Sequence, residues 1–160
     1  MFNDLLKQIV ARKDLSATQA EEAIGAILAG DCTDAQIGAF MASMATKGET
    51  FEELAGAAQA MRAACRRIQV FGSPVLDTCG TGGDGLDTFN ISTATAFVAA
   101  GAGITVAKHG NRSVSSKCGS ADVLEALGLN LAVDPEVTEE AVNSIGIGFM
   151  FAPKYHGAMK

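Results

Sequence analysis

Positively charged side chains are concentrated in one short segment of an acidic chain. The 160 residues carry a net charge of −6. Between Ile104 and Ser120, however, the charged side chains are Lys108, Arg112 and Lys117, with His109 among them. The same segment carries the hydroxyl groups of Ser113, Ser115 and Ser116. A local group of cations and hydroxyl donors predicts binding of a phosphate-like anion more strongly than a diffuse positive charge would.

A second donor-rich segment precedes it. The stretch Gly80–Gly85, GTGGDG, contains four glycines, which let backbone N–H groups converge on an anion without interference from Cβ atoms. A helix predicted to start near Ser92 would add its N-terminal N–H groups, and the side chains at its mouth are those of Asn90, Ser92, Thr93 and Thr95. Each loop follows a predicted strand, so in a parallel sheet both emerge at the same edge. Together they predict a site for two phosphate-like groups.

The glycine spacing also resembles two nucleotide-binding motifs, which other features argue against. Gly80-x-Gly82-x-x-Gly85 has the dinucleotide pattern, but Leu86–Asn90 intervene before the helix, and no acidic residue lies between Asp87 and Asp122 to hold a ribose. No Gly-Lys-Ser/Thr follows at the spacing of a phosphate-binding P-loop. Plain turns remain the simplest alternative for either loop alone, and their convergence favours the ligand.

The chain before these loops has the pattern of a helical domain, placed at residues 1–70. Apolar residues from Phe2 to Val10 share one helical face. The pairs Ser16/Gln19, Thr33/Gln36 and Thr50/Glu53 each form a capping-box pattern ahead of an apolar period, and Gly30 and Gly48 are placed to end helices. About four helices are therefore expected, with a face that packs on other structure or on a second subunit.

The remainder, residues 71–160, predicts part of an α/β domain with a parallel sheet. Strands are expected at Val75–Asp77, Thr105–Ala107 and Gly146–Phe151. Ser92–Ala102 predicts a helix capped by Asn90 or Ser92. Two further helices are expected after the caps Ser120 and Asp134. Alternating strands and helices indicate parallel strands joined by crossovers. Few strands are predicted for a buried sheet, so we interpret the chain as a fragment of a longer protein.

The composition excludes several classes of function. An acidic chain lacks the basic face of a sequence-independent nucleic-acid binder, and its longest apolar run is too short to cross a bilayer. Its start lacks the pattern of a secretory signal peptide. The four cysteines form no CxxC pair and predict neither a zinc site nor a disulfide framework. A cytoplasmic protein is therefore expected.

Several segments, in this order, resemble anthranilate phosphoribosyltransferase of tryptophan biosynthesis. They are Asp77–Asp84 (DTCGTGGD), Asn90–Thr93 (NIST), Lys108–Ser113 (KHGNRS) and Cys118–Asp122 (CGSAD). The resemblance extends from the N-terminal helices to Phe151–Gly157 (FAPKYHG) and so covers nearly the whole chain. The KHGNR loop separates the sequence from pyrimidine nucleoside phosphorylases, whose second loop resembles KHSTGG.

The resemblance implies a small helical domain used for homodimerisation and a larger α/β domain. It implies transfer of phosphoribosyl from 5-phosphoribosyl 1-diphosphate (PRPP) to anthranilate, with release of pyrophosphate and with Mg²⁺. It assigns the PRPP site to Gly80, Gly83, Asp84, Thr88, Asn90, Ile91, Ser92, Thr93, Lys108, Gly110, Asn111, Arg112, Ser113, Ser115, Ser116 and Ser120. It assigns anthranilate to Gly80, His109 and Asn111, and a magnesium ion to Ser92. No catalytic base is certain, since His109 and His156 are the only candidates.

The sequence departs from the family pattern in its length. Members are considerably longer, and the acidic pair that binds magnesium and an arginine for the carboxylate of anthranilate are expected beyond Lys160. The magnesium site is therefore expected to be incomplete and the 160-residue chain inactive alone. Two alternatives stay open: an autonomous helical dimerisation and phosphate-binding module without catalysis, and a relative of the pyrimidine nucleoside phosphorylases.

Overall fold

The computed structural model describes residues 1–72, 74–80, 89–113 and 118–157. Two compact units are present, Met1–Cys65 and Arg66–Gly157. The first is helical and the second is α/β with a parallel sheet, which confirms the predicted fold class. Within the described residues, no helix combines the length and the apolar character needed to cross a membrane.

Four helices form the first unit, as predicted: α1 (Phe2–Val10), α2 (Ala17–Leu28), α3 (Asp34–Lys47) and α4 (Phe51–Ala64). Helices α2, α3 and α4 each begin with the expected capping box, in which both reciprocal hydrogen bonds are present. Gly30 and Gly48, which follow α2 and α3, have φ values of +80° and +85°. Such values are accessible to glycine at low cost and explain why the helices end there.

The core of the helical unit is built from the inner faces of these helices. It contains Leu5, Ile9, Leu15, Ala20, Ala23, Phe40 and Met44. Helices α2 and α4 approach closely at Gly56, where a Cβ atom would collide with the backbone of Ala17. A small residue is therefore required at this helix crossing.

The second unit contains a parallel three-stranded sheet among the described residues, in the order β1 (Val75–Leu76), β2 (Thr105–Gly110), β3 (Ile147–Phe151). The helices are α5 (Ile91–Gly101), α6 (Ser120–Ala126), α7 (Pro135–Ile145) and the short α8 (Ala152–Tyr155). Helix α5 packs against β2, and α7 packs against β2 and β3. Val106, Ala121, Leu124, Val142 and Met150 are buried in this unit.

Strand β2 is longer than predicted. The sequence pattern ended it at Ala107, but pairing with β3 continues through Lys108↔Phe149, His109↔Met150 and Gly110↔Phe151. Lys108, His109 and Gly110 therefore belong to the strand rather than to a loop. The polar side chains suggested a loop, whereas the hydrogen-bond partners supplied by β3 are a tertiary feature that this pattern does not contain.

Three helix starts also differ from expectation. Helix α6 includes Ser120 as its first residue, and the preceding Gly119 is the N-cap. Asn90 and Asp134 occupy the N-cap positions of α5 and α7, but neither side chain caps its helix with a hydrogen bond. The side chains of Asn90 and Asp134 instead contact other parts of the α/β unit, namely Cys118 and Lys154.

Candidate functional site

Polar residues lie at or just beyond the carboxyl ends of the three parallel strands, and two of them, Lys108 and His109, were predicted as site residues from the sequence. Asp77 directly follows β1, Lys108 and His109 lie near the end of β2, and Tyr155 follows β3. Ligands of open α/β sheets bind outside the carboxyl ends of the strands. This edge is therefore the candidate site.

Lys108 is a buried cation at this edge, with 3% of its surface exposed. Its Nζ atom donates to Ser92 Oγ at 3.2 Å and to the carbonyl oxygen of His109 at 3.3 Å. Burial lowers the pKa of Lys108, although the charges of Cys79 and Asp77 oppose this shift. Among the described residues its hydrogen-bond partners are neutral, so the ammonium group would be stabilised by a bound anion.

Ser92 lies in the first turn of α5, where the helix N-terminus also favours an anion. The backbone here is tied to the segment after β1, because Thr78 Oγ1 donates to the carbonyl oxygen of Ser92 at 2.8 Å. Ser92 is half-buried, whereas the neighbouring Ile91 is exposed. The structure thus brings Ser92 and Lys108 together as the sequence predicted.

Asn90 connects the start of α5 to the second loop. Its Nδ2 atom donates to the carbonyl oxygen of Cys118 at 2.9 Å, and its Oδ1 atom accepts from Thr93 Oγ1 at 3.2 Å. The side chain of Thr93 is buried. Both predicted ligand residues therefore hold other parts of the protein in this structure.

The side chains of Asp77 and His109 are in hydrogen-bond contact at this edge. Asp77 Oδ2 lies 2.8 Å from His109 Nδ1. Asp77 Oδ1 accepts from the backbone N–H of Cys79 at 2.9 Å and from that of His109 at 3.2 Å. The rings of Tyr155 and His156 lie 6.3 and 6.2 Å from the ring of His109.

Arg112 was predicted to bind PRPP, and its guanidinium lies among carboxylates instead. It makes a two-point contact with Glu125, at 2.7 and 2.8 Å, and a contact with Asp122 Oδ1 at 3.2 Å. Hydrogen bonds to Glu125 and then Asp122 raise the pKa of Arg112. The ring of Phe151 lies 5.8 Å from the guanidinium carbon. These contacts fasten the segment after β2 to helix α6.

The backbone of the same segment is held by Asp122. Its Oδ2 atom accepts from the N–H groups of Ser113 at 3.0 Å and Gly119 at 2.8 Å, and these bonds lower the pKa of Asp122. Asn111 is exposed, and its carbonyl oxygen accepts from Ala121 N at 3.2 Å. A Cβ atom on Gly119 would collide with the backbone of residues 111–113. The predicted positions Asn111 and Ser113 are thus set by a tight packing of the loop against α6.

The remaining predicted residues divide into three groups. Gly80 is exposed, with open space where a side chain would be. Gly110 is buried, and a Cβ atom there would collide with Ser120 Oγ and the ring of Phe149. Outside the described residues lie Gly83, Asp84, Thr88, Ser115 and Ser116.

Three acidic residues at this edge were not assigned a role from the sequence. They are Asp77, which contacts His109, and Asp122 and Glu125, which contact Arg112. Asp77 could have been found, since it ends the first predicted strand and His109 follows the second, and parallel strands end at one edge of a sheet. The partners of Arg112 depend on how α6 folds back on the loop, which no local pattern indicates.

The described residues do not form a metal site by themselves. Among them, no group of three or more His, Cys, Asp or Glu side chains could hold a metal ion. Ser92 offers one neutral oxygen, and its near neighbour is the ammonium group of Lys108. Mg²⁺ prefers carboxylate, phosphate and water oxygens, so this part of the chain supplies at most one ligand.

Comparison with known proteins matches both units. The glycosyl transferase family, helical bundle domain, matches residues 3–65, and the glycosyl transferase family, a/b domain, matches residues 72–160. An anthranilate phosphoribosyltransferase of Desulfosudis oleivorans is 69% identical over 160 residues, which are 100% of this chain and 47% of that protein. The chain therefore spans about half the length of the curated relatives it matches.

Solved structures give the same result. The anthranilate phosphoribosyltransferase of Thermus thermophilus matches with a TM-score of 0.90 and 43% identity, over 98% of this chain and 47% of that one. The enzyme of Saccharomyces cerevisiae in complex with PRPP and Mg matches with a TM-score of 0.87 and 27% identity, over 99% of this chain and 48% of that one. The chain therefore belongs to the glycosyl transferase family with these two domains and is similar, over its whole length, to anthranilate phosphoribosyltransferases.

Proposed function

We propose that this chain is the N-terminal part of an anthranilate phosphoribosyltransferase. The reaction breaks the C1–O bond of PRPP, so that pyrophosphate leaves with the bonding electrons. It forms a bond from the anthranilate nitrogen to C1, and that nitrogen loses a proton. The observation that supports this function best is the buried ammonium group of Lys108, with neutral partners at the carboxyl end of β2.

In this proposal Lys108 binds a phosphate oxygen of PRPP. The anion replaces the interaction with water that Lys108 lost on burial, and the N-terminus of α5 adds its backbone dipoles. Ser92 donates its hydroxyl hydrogen to the same anion while its oxygen accepts from Lys108. Binding energy from the phosphate groups then holds C1 in place for attack by the acceptor.

Mg²⁺ is proposed to reach the site with PRPP, since phosphate oxygens supply ligands that the described residues lack. When bound, it would neutralise charge on the diphosphate group. Ser92 is the proposed protein ligand in this part of the chain. Carboxylate ligands and full turnover are then expected only from the longer protein, and we expect no measurable transferase activity from the 160 residues alone.

Calorimetric titration of the chain with PRPP tests this function. Lys108→Met should weaken binding by about 10-fold or more, because a hydrogen bond to a charged group contributes roughly 1.5–3 kcal/mol. Lys154→Met is the matched control, since Lys154 is exposed and lies 3.8 Å from Asp134. An unchanged affinity in Lys108→Met, or no binding by the unmodified chain, would contradict the proposal.

A phosphate-binding module without catalysis is the second candidate, since the buried ammonium group of Lys108 can bind phosphate without any chemistry. Fluorescence titration with anthranilate in the presence of PRPP separates the two. A transferase domain is expected to bind anthranilate beside PRPP, whereas a module that binds only phosphate should leave the fluorescence of anthranilate unchanged. Product formation above a no-enzyme control would contradict the expected inactivity.

We also propose that the helical unit pairs with a second copy in a homodimer. Apolar side chains of α4 at helical spacing are exposed: Phe51 by 77%, Leu54 by 58% and Met61 by 36%. A second copy would cover this apolar face. Sedimentation should show a dimer for the unmodified chain and a monomer for Leu54→Glu. A monomer in both cases would contradict the proposal.

We also propose that the protein is located in the cytoplasm. Cys32, Cys65 and Cys79 carry free thiols, as expected for a protein of a reducing compartment.

A further inference from the structure

Asp77, which directly follows β1, is hydrogen-bonded to the neighbouring strand β2. Its carboxylate receives three hydrogen bonds: from the backbone N–H groups of Cys79 and His109, at 2.9 and 3.2 Å, and from the His109 ring, where Oδ2 lies 2.8 Å from Nδ1. The first N–H belongs to the segment after β1 and the second to β2. One side chain therefore fixes both the backbone at the edge and the imidazole orientation.

The contact with Nδ1 also selects where the imidazole hydrogen lies. A carboxylate only accepts hydrogen bonds, so the short contact requires hydrogen on Nδ1. In a neutral imidazole with Nδ1–H, the other nitrogen carries a lone pair and accepts hydrogen bonds. Asp77 thus converts His109 into a ring with an acceptor at Nε2.

The imidazole of His109 is partly exposed. Its side chain is 37% exposed, and Asp77 occupies only the Nδ1 side. Tyr155 meets the ring edge-on at 72°, while His156 lies tilted by 30°. The ring is therefore held at Nδ1 and flanked by aromatic rings, and within the described part of the chain no hydrogen bond to Nε2 is present.

We propose that Asp77 is a positioning residue that holds His109 in the Nδ1–H form, so that Nε2 accepts a hydrogen bond from the amine of the aromatic acceptor. This inference rests on the proposed function for the identity of that acceptor. In this proposal, the Asp77–His109 pair makes the site prefer an aromatic acid with an amine group over the same acid without one. An acid without a hydrogen-bond donor at that position would leave Nε2 unsatisfied.

Nitrogen NMR of the intact chain tests the first half without any ligand. The chain contains two histidines, so a His156→Gln spectrum assigns both. At about pH 8.5, where free imidazole is neutral, His109 should show hydrogen on Nδ1. The Asp77→Ala spectrum should move toward the Nε2–H form that free imidazole side chains prefer. Hydrogen on Nε2 of His109 in the unmodified chain would overturn the proposal without any variant.

Acceptor titration tests the second half. In the presence of PRPP, the ratio of anthranilate to benzoate affinity should fall about 3- to 10-fold in His109→Ala and in Asp77→Asn, the value of one neutral hydrogen bond. Asp134→Asn makes the same chemical change at an exposed carboxylate and should keep the ratio. An unchanged ratio in His109→Ala overturns the role of Nε2. Absence of anthranilate binding in every form overturns the proposed function instead, while the NMR result stands by itself.

Discussion

The two units each hold the ammonium group of a lysine away from solvent, and they treat it differently. In the helical unit, the side chain of Lys47 is 5% exposed, and its Nζ atom lies 2.7 Å from Asp14 Oδ1 and 2.8 Å from Glu53 Oε2. Hydrogen bonds to Asp14 and Glu53 raise its pKa. In the α/β unit, Lys108 is as deeply buried, but it has neutral partners among the described residues, and burial lowers its pKa.

The difference separates a charge that is neutralised within the fold from one whose hydrogen-bond partners, among the described residues, are neutral. Lys47 is neutralised inside the protein, so its contacts stabilise the loops and caps around Glu53. Lys108 has lost hydration without gaining a carboxylate partner in the described part of the chain, and such a buried charge is unfavourable unless an anion neutralises it. Burial alone does not distinguish the two lysines, whereas the charge of their partners does.

The largest predicted effect is an opposite change in stability from the same substitution in the two units. Lys47→Met leaves the buried Glu53 without its cation and should lower the free energy of unfolding by about 3 kcal/mol. Lys108→Met removes a buried unneutralised charge and should leave stability unchanged or raise it. Urea titrations followed by circular dichroism measure both. Equal losses of unfolding free energy in both variants would contradict the distinction drawn between the two lysines.

Acid stability tests the helical unit further. Burial favours a higher pKa for Glu53, but hydrogen bonds from Leu15 N, Lys47 Nζ and Thr50 N outweigh it and lower the pKa. The carboxylate therefore stabilises the fold above the unfolded pKa, about 4.3, and this contribution is lost as pH falls through the lowered folded value. Glu53→Gln should flatten the acid limb of the stability profile, whereas the exposed neighbour substitution Glu52→Gln should not. An unchanged limb in Glu53→Gln would contradict this.

Glycine substitutions compare close packing in the two units at intermediate magnitude. Gly56→Ala forces a Cβ atom onto the backbone of α2, and Gly119→Ala forces one onto the loop after β2. Each should cost on the order of 1–3 kcal/mol, with the larger loss at Gly56 because a packed helix cannot move aside. Gly38→Ala and Gly101→Ala, which face open space within helices, are the controls. Melting temperatures that rank Gly119→Ala below Gly56→Ala would reverse the comparison.

The smallest predicted effect concerns helix caps. Thr33 accepts a hydrogen bond from Gln36 N in the helical unit, so Thr33→Ala should cost about 1 kcal/mol. Asp134 holds the N-cap position of α7 without a side-chain bond to the helix, so Asp134→Ala should change the free energy of unfolding very little. Thermal unfolding of both variants measures the difference. A larger loss at Asp134 would show that this position also acts as a cap.

Much of the fold could be predicted from the sequence because its signals are local. A capping box places a hydroxyl, a carboxylate or amide, and an apolar period within a few residues, and Ser16, Thr33 and Thr50 each act as such patterns predict. The parallel sheet followed equally well from alternating strand and helix patterns. The end of β2 did not, since it depends on pairing of Lys108–Gly110 with β3.

The contacts within the site were less predictable because its polar residues form hydrogen bonds with residues far away in the sequence. Ser92 and Lys108 meet as expected. Asn90 bonds to Cys118, 28 positions away, and Asp77 bonds to His109, 32 positions away. Separations of this size depend on how the chain folds back, so residue type suggested a polar site without its internal contacts.

Because β2 includes Lys108 and His109, the strand determines on which face of the sheet each of these side chains lies. Side chains alternate between the two faces of a strand, so the neighbours Lys108 and His109 point to opposite sides of the sheet. The β3 pairing of Lys108 with Phe149 and His109 with Met150 fixes this assignment. A shift of β2 by one residue would exchange the cation and the imidazole between the faces. The hydrogen-bond ladder of the sheet therefore determines which face carries the ammonium group and which carries the imidazole.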